Sequence, residues 1–150
     1  MSNRRTLDYA RIDSIMPDVD RLLQSHTTSG RWTLGQILDH LDKAIRLTAH
    51  QPRRDTPPPA PTPEQDAVRT AFFAARSMPE GRDVPTPRLV PNPDAEPRAS
   101  ADSLRGAINV IVAFEGPLPV HPVLGPLTRD EWLQFHCVHC AHHLSFAHPA

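Results

Sequence analysis

Apolar residues recur at intervals of three and four in five stretches of this chain, and no stretch alternates convincingly with the period of a strand. The pattern therefore predicts helices. The first opens at Ser14 as N-cap and runs to about Gln24 with Ile15, Val19, Leu22 and Leu23 inward. Pro17 falls at its third helical position, where a missing N–H is harmless. The second helix opens on a Thr33–Gln36 capping box, with Trp32 and Ile37 spaced as a hydrophobic staple. Leu34, Ile37, Leu38, Leu41, Ala44, Ile45 and Thr48 hold one face through about Ala49, and Asp39 and Asp42 fall on the outward side. His40 lies at the flank of that face, turned toward a neighbouring helix or a groove.

A third helix starts at Thr62 with Pro63 at its first position and Gln65 completing a capping box. It extends to about Met78 with Val68, Phe72, Ala75 and Met78 inward. The fourth spans about Ser100 to Glu115, buries Leu104, Ala107, Ile108, Ile111 and Val112, and stops at Gly116. In the fifth, Thr128 and Glu131 form a capping box and Leu127 and Trp132 a staple. Residues 1–13 read as irregular, with Leu7, Tyr9 and Ile12 tucked onto the core, and SHTTSGR as a turn. The proline-rich run 52–63 reads as a stiff spacer rather than an SH3-type ligand, and 79–98 as a long loop. The connector 117–126 delivers His121 to one end of the molecule. The expected architecture is all-α: a four-helix bundle with an additional short helix and long proline-rich loops, forming a single domain over 1–150.

Composition narrows the partners. A net charge of −1 and a pI near 6.7 argue against nucleic acid or an anionic membrane surface. No apolar run approaches the roughly 18 residues of a spanning helix. The start MSNRRTLDYARID has no apolar segment behind its basic residues and so is not a secretory signal. A cytoplasmic location and a small-molecule substrate are the expectations, with a homodimer admitted.

The fifth helix concentrates the candidate chemistry. Trp132, Phe135, His136, His139, His143 and Phe146 fall within a sector of about 100°, the width of a core-facing stripe. Buried imidazoles need partners for their ring nitrogens, either hydrogen bonds or a metal. His139 and His143 are one turn apart, so both rings can face one ion. With His40 they make a three-imidazole set that leaves a divalent ion its charge and an open position, as in catalytic zinc sites. Nickel, iron, manganese or cobalt would also fit.

Two readings compete with this one. His136 and Cys140, also four apart, form a rival ligand pair, and a core of hydrogen-bonded histidines needs no metal at all. His142 reads as packing beside another helix or bonding a carbonyl. Cys137 and Cys140 sit too deep in the helix for a redox pair and read as ordinary thiols. His26, His50, His121 and His148 lie in loops or at ends, His121 within reach of the site's rim. No carboxylate stands out as a general base, Glu131 being taken by its cap.

The runs RWTLGQILDHLDKAI and HCAHHLSF resemble the second- and fourth-helix motifs of the DinB-like (YfiT-like) superfamily, and HPVLGPLTRDEW resembles an uncharacterised bacterial branch of it. The resemblance covers about half the chain. It implies a four-helix bundle that binds a divalent metal, zinc or nickel first, through His40, His139 and His143. It also implies a metal-dependent transferase, isomerase or hydrolase that activates a low-molecular-weight thiol or water for attack on a small electrophile. Leu144 and Ser145 follow His143 where many relatives carry an Arg-Gly pair, so that part of the motif does not carry the thiol over. A non-catalytic, stress-associated or binding protein with a structural three-histidine site is the alternative.

Overall fold

Side-chain caps fix where three of the helices begin. Thr33, Thr62 and Thr128 each accept the backbone N–H of the residue three positions on, and Gln36, Gln65 and Glu131 return a bond to the cap backbone. The computed structural model describes residues 3–50, 57–79, 84 and 86–150. Its helices are α1 (Ile15–Gln24), α2 (Leu34–Ala49), α3 (Pro63–Ala75), α4 (Pro97–Ala113) and α5 (Arg129–Leu144), with 3-10 turns at Ile12–Ser14 and Pro87–Leu89. The protein is thus mainly helical. Among the described residues no helix is long and apolar enough to cross a membrane.

α2 and α4 form the most extensive helix pair, and α1 and α5 pack against them around one hydrophobic cluster. Leu34, Leu38, Leu41 and Ile45 on α2 meet Leu104, Ala107 and Ile111 on α4 and Ile15, Val19 and Leu22 on α1 within it. Burying each large aliphatic side chain contributes about 1.5–3 kcal/mol. Tyr9 is buried, and Leu7 and Ile12 pack on the cluster, as expected of the N-terminal segment. Five residues of the proline-rich spacer, 52–56, and much of the first half of the 79–98 loop lie outside the described residues.

Four departures from the sequence pattern have physical causes. The first is strand pairing: β1 (His26–Thr28) runs antiparallel to β4 (Ala147–Pro149), and β2 (Val120–His121) to β3 (Gly125–Pro126). Two- and three-residue strands are too short to show a period of two. Gly125 turns the second ribbon at φ +80°, a left-handed conformation that favours glycine.

The second departure concerns helix ends. Ser14 makes no side-chain cap, because it is the last residue of the 3-10 turn Ile12–Ser14, which leads the chain directly into α1. α4 begins at Pro97, earlier than expected, with the Glu96 carboxylate accepting from Arg98 and Ala99 N–H. It stops at Ala113, before Gly116. α3 ends at Ala75 because Arg76 adopts a left-handed conformation and bonds Asp8, the Tyr9 carbonyl and Gln134.

The third is burial. α3 lies at the periphery, so Val68 and Ala75 are exposed and Phe72 and Met78 only half-buried; Val112 on α4 is exposed too. Asp42 is buried rather than outward: its carboxylate takes Arg46 Nε and Ser103 Oγ, each at 2.7 Å, where α2 crosses α4. The fourth concerns α5, which is buried on two sides. Cys137, Cys140, Ala141 and Leu144 supply its apolar core contacts, and the histidine stripe faces a separate aromatic layer.

Candidate metal centre

His40 leaves the middle of α2, and His139 and His143 leave consecutive turns of α5. The α2–α5 contact brings their rings together. His139 Nε2 stands 3.1 Å from His40 Nε2 and 3.1 Å from His143 Nε2. His40 and His139 are only 3% and 8% exposed, and His143 is half-buried. Among the described residues these three form a group of side chains able to hold one ion, with all ligand atoms within 4.8 Å of one another.

Aromatic rings bracket the triad. Trp32 stacks on His143 with ring centroids 5.3 Å apart and tilts over His40 at 4.9 Å. On the other side Phe135 stacks on His139 at 5.8 Å. Burial lowers the pKa of all three histidines, His139 and His143 furthest because neighbouring imidazoles add to the effect. All three rings are therefore neutral near pH 7, the form in which histidine binds metal.

The protons cannot be placed comfortably among the three rings alone. His40 Nδ1 lies 2.7 Å from the Leu89 carbonyl oxygen and must donate to it, so Nε2 carries the lone pair. If His139 carries its proton on Nδ1, its Nε2 lone pair faces that of His40. If the proton sits on Nε2, one N–H serves two neighbours, and in either case the buried Nδ1 has no hydrogen-bond partner among the described residues. His40, His139 and His143 would hold a divalent cation through ring-nitrogen lone pairs that the protons leave unmatched. A tetrahedral zinc with bonds of about 2.0–2.1 Å sets its nitrogens about 3.3 Å apart, close to the two separations of 3.1 Å. The donor set fits a divalent ion.

The remaining histidines are engaged elsewhere. His136 is buried with Nε2 3.1 Å from Thr48 Oγ1, and Thr48 donates to the Ala44 carbonyl. His136 therefore donates through Nε2, its Nδ1 has no partner among the described residues, and burial lowers its pKa to about 3. The rival His136–Cys140 pair is not part of the cluster. Burial raises both thiols, Cys137 to about 11 and Cys140 further.

His142 is buried, with Nδ1 3.2 Å from the Arg4 guanidinium of the N-terminal segment. His121 accepts the N–H groups of Val123 and Leu124 and packs on Trp132 and Phe135, one ring removed from His139. His26 bonds the Leu22 carbonyl, His148 pairs with Ser29, and His50 caps α2.

Two features of the site were not read from the sequence. Trp32 packs over the triad, which its position just before a capping box could have signalled. The Leu89 carbonyl orients His40, and a backbone atom leaves no sequence signal.

No curated protein and no solved structure matches the chain. A family model described as a protein of unknown function, DUF1569, matches residues 1–150. The chain belongs to the DUF1569 family.

Proposed function

We propose that this is a single-domain, DinB-like helical bundle that holds a divalent metal ion, zinc or nickel, through His40, His139 and His143, and uses it as a transferase. The observation that carries the reading is the convergence of three neutral imidazole nitrogens that at best share a single proton among them. Such an ion lowers the pKa of a bound thiol or water, which supplies a nucleophile at neutral pH. A small electrophile is the substrate class. The residues of this chain bind and orient: Leu89 fixes His40, and Trp32 and Phe135 shield the rings from water. Three neutral ligands would leave the double charge of a divalent ion uncompensated, which would favour an anionic substrate group at the site. A cytoplasmic, small-molecule setting belongs to the same reading.

A structural role for the metal is the second reading, favoured by the burial of His40 beneath Trp32 and of His139 against Phe135. The two separate on thiol binding. Zinc-loaded protein mixed with a low-molecular-weight thiol at neutral pH is expected to release a proton as the thiolate binds, and His143→Ala to release none. Zinc-loaded protein that binds no thiol and exchanges no water contradicts the transferase.

A further inference from the structure

His40 is held from outside its own helix. The chain from the 3-10 turn Pro87–Leu89 to Glu96 lies along α2 and is fastened at successive turns of it. Lys43 Nζ donates to the Val90 carbonyl at 3.0 Å, and the Asn92 N–H donates to Asp39 Oδ2 at 2.8 Å. Asp39 and Lys43 also pair with each other at 2.8 Å. At Gly35 the two backbones cross so closely that a Cβ would stand 2.0 Å from the Ala95 carbonyl oxygen. Gly35, Asp39 and Lys43 are spaced i, i+4 and i+8, a single stripe of α2. Within the fastened stretch Pro91 is buried, and Asn92 closes a turn by accepting the Asp94 and Ala95 N–H groups. Leu89 reaches the stripe's edge at His40, and its carbonyl takes the Nδ1 proton.

We propose that residues 86–96 form a strap that positions His40: the Leu89 carbonyl fixes the Nδ1–H tautomer and turns the Nε2 lone pair toward His139 and His143. Gly35, Asp39 and Lys43 are its positioning residues, none of them a ligand. The partner is a backbone carbonyl, so no side-chain replacement at Leu89 removes it, and the leverage lies in the anchors. His139 has no such partner among the described residues, which makes His40 the ligand whose orientation the protein controls most directly. The consequence for metal affinity rests on the proposed metal site; the hold on the ring does not.

The test reads both on the full chain. Nitrogen-15 NMR of the histidine rings in metal-free wild type is expected to show His40 protonated at Nδ1 and unprotonated at Nε2. In Gly35→Ala, where the strap must move, and in Asp39→Ala, which removes the acceptor for Asn92, the ring is expected to shift toward the Nε2–H form. Zinc affinity, measured by chelator competition, is expected to fall about 10- to 100-fold in both variants, the usual consequence of loosening a ligand's outer partner. An Nε2–H His40 in wild type overturns the proposal, whether or not the variants fold. Folded variants that keep the wild-type ring signals and zinc affinity also overturn it. If wild type shows the expected tautomer, and the variants shift it, but no form binds zinc, the metal reading fails and the strap stands.

Discussion

His136 shows how one buried imidazole shapes the response of the protein to acid. In the fold its pKa is about 3, against an ordinary 6.5, because burial penalises the charged ring. The unfolded chain therefore binds the extra proton first. Stability is fully present above about pH 6.5 and falls as pH drops toward the folded value, by about 1.4 kcal/mol per pH unit for each such group. His121, lowered by burial to about 4, acts in the same direction. Denaturant melts of metal-free protein should lose stability steeply between pH 6.5 and 4, and His136→Phe should flatten that limb. An unchanged slope in the variant would show that the acid response lies elsewhere. Thr48 keeps its bond to the Ala44 carbonyl in either case.

At the scale of elements, legibility followed the kind of signal. The bounds of α1 and α2 and the starts of α3 and α5 were readable because caps and apolar spacing are local. α4 was misplaced by three residues because its cap, Glu96, is less usual and lies between prolines. The phase of α5 was half-read: the histidines do share a face, but a periodicity argument cannot say that the opposite face, with Cys137, Cys140 and Leu144, is the apolar one. A capping contrast tests the reading of the helix starts. Thr128→Ala should cost about 1 kcal/mol in a urea melt, and Ser14→Ala far less, since Thr128 makes a cap bond and Ser14 makes none. Equal losses would show that the caps do not set these ends. Leu38→Ala, at a fully buried position of α2, should cost about 2–5 kcal/mol.

Across the whole molecule, long-range polar contacts tie the irregular N-terminal segment to the end of α5, and these were invisible in the sequence. Arg5 pairs with Asp18 on α1 and reaches the Leu144 carbonyl, its own N–H bonds the Ser145 carbonyl, and Tyr9 donates to Asp18 at 2.5 Å. Burial pushes the Asp18 carboxyl up, but the bonds from Arg5 and Tyr9 outweigh it and leave the pKa below the ordinary value. This contribution is present above about pH 4 and is lost as pH falls through the lowered pKa. Arg4 extends the same arm to Ser145, His142 and the Phe146 ring, beside the candidate site. Arg5→Ala should therefore cost about 2–3 kcal/mol in a thermal or urea melt at pH 7. A loss within error of zero would mean that the arm is not structural.

The three histidines of the site were legible in the sequence as one set; what the sequence lacked was its geometry, the two separations of 3.1 Å and the Leu89 carbonyl on His40, which depend on how the chain packs around α2 and α5. Everything functional here rests on that set holding an ion. The most direct measurement is the metal content of tag-free protein purified from metal-replete cells, wild type beside His40→Ala, His139→Ala and His143→Ala. About one equivalent of zinc or nickel per wild-type chain, and a large loss in each folded variant, is the expected result. Metal-free wild type, or variants that keep the wild-type content, would contradict it.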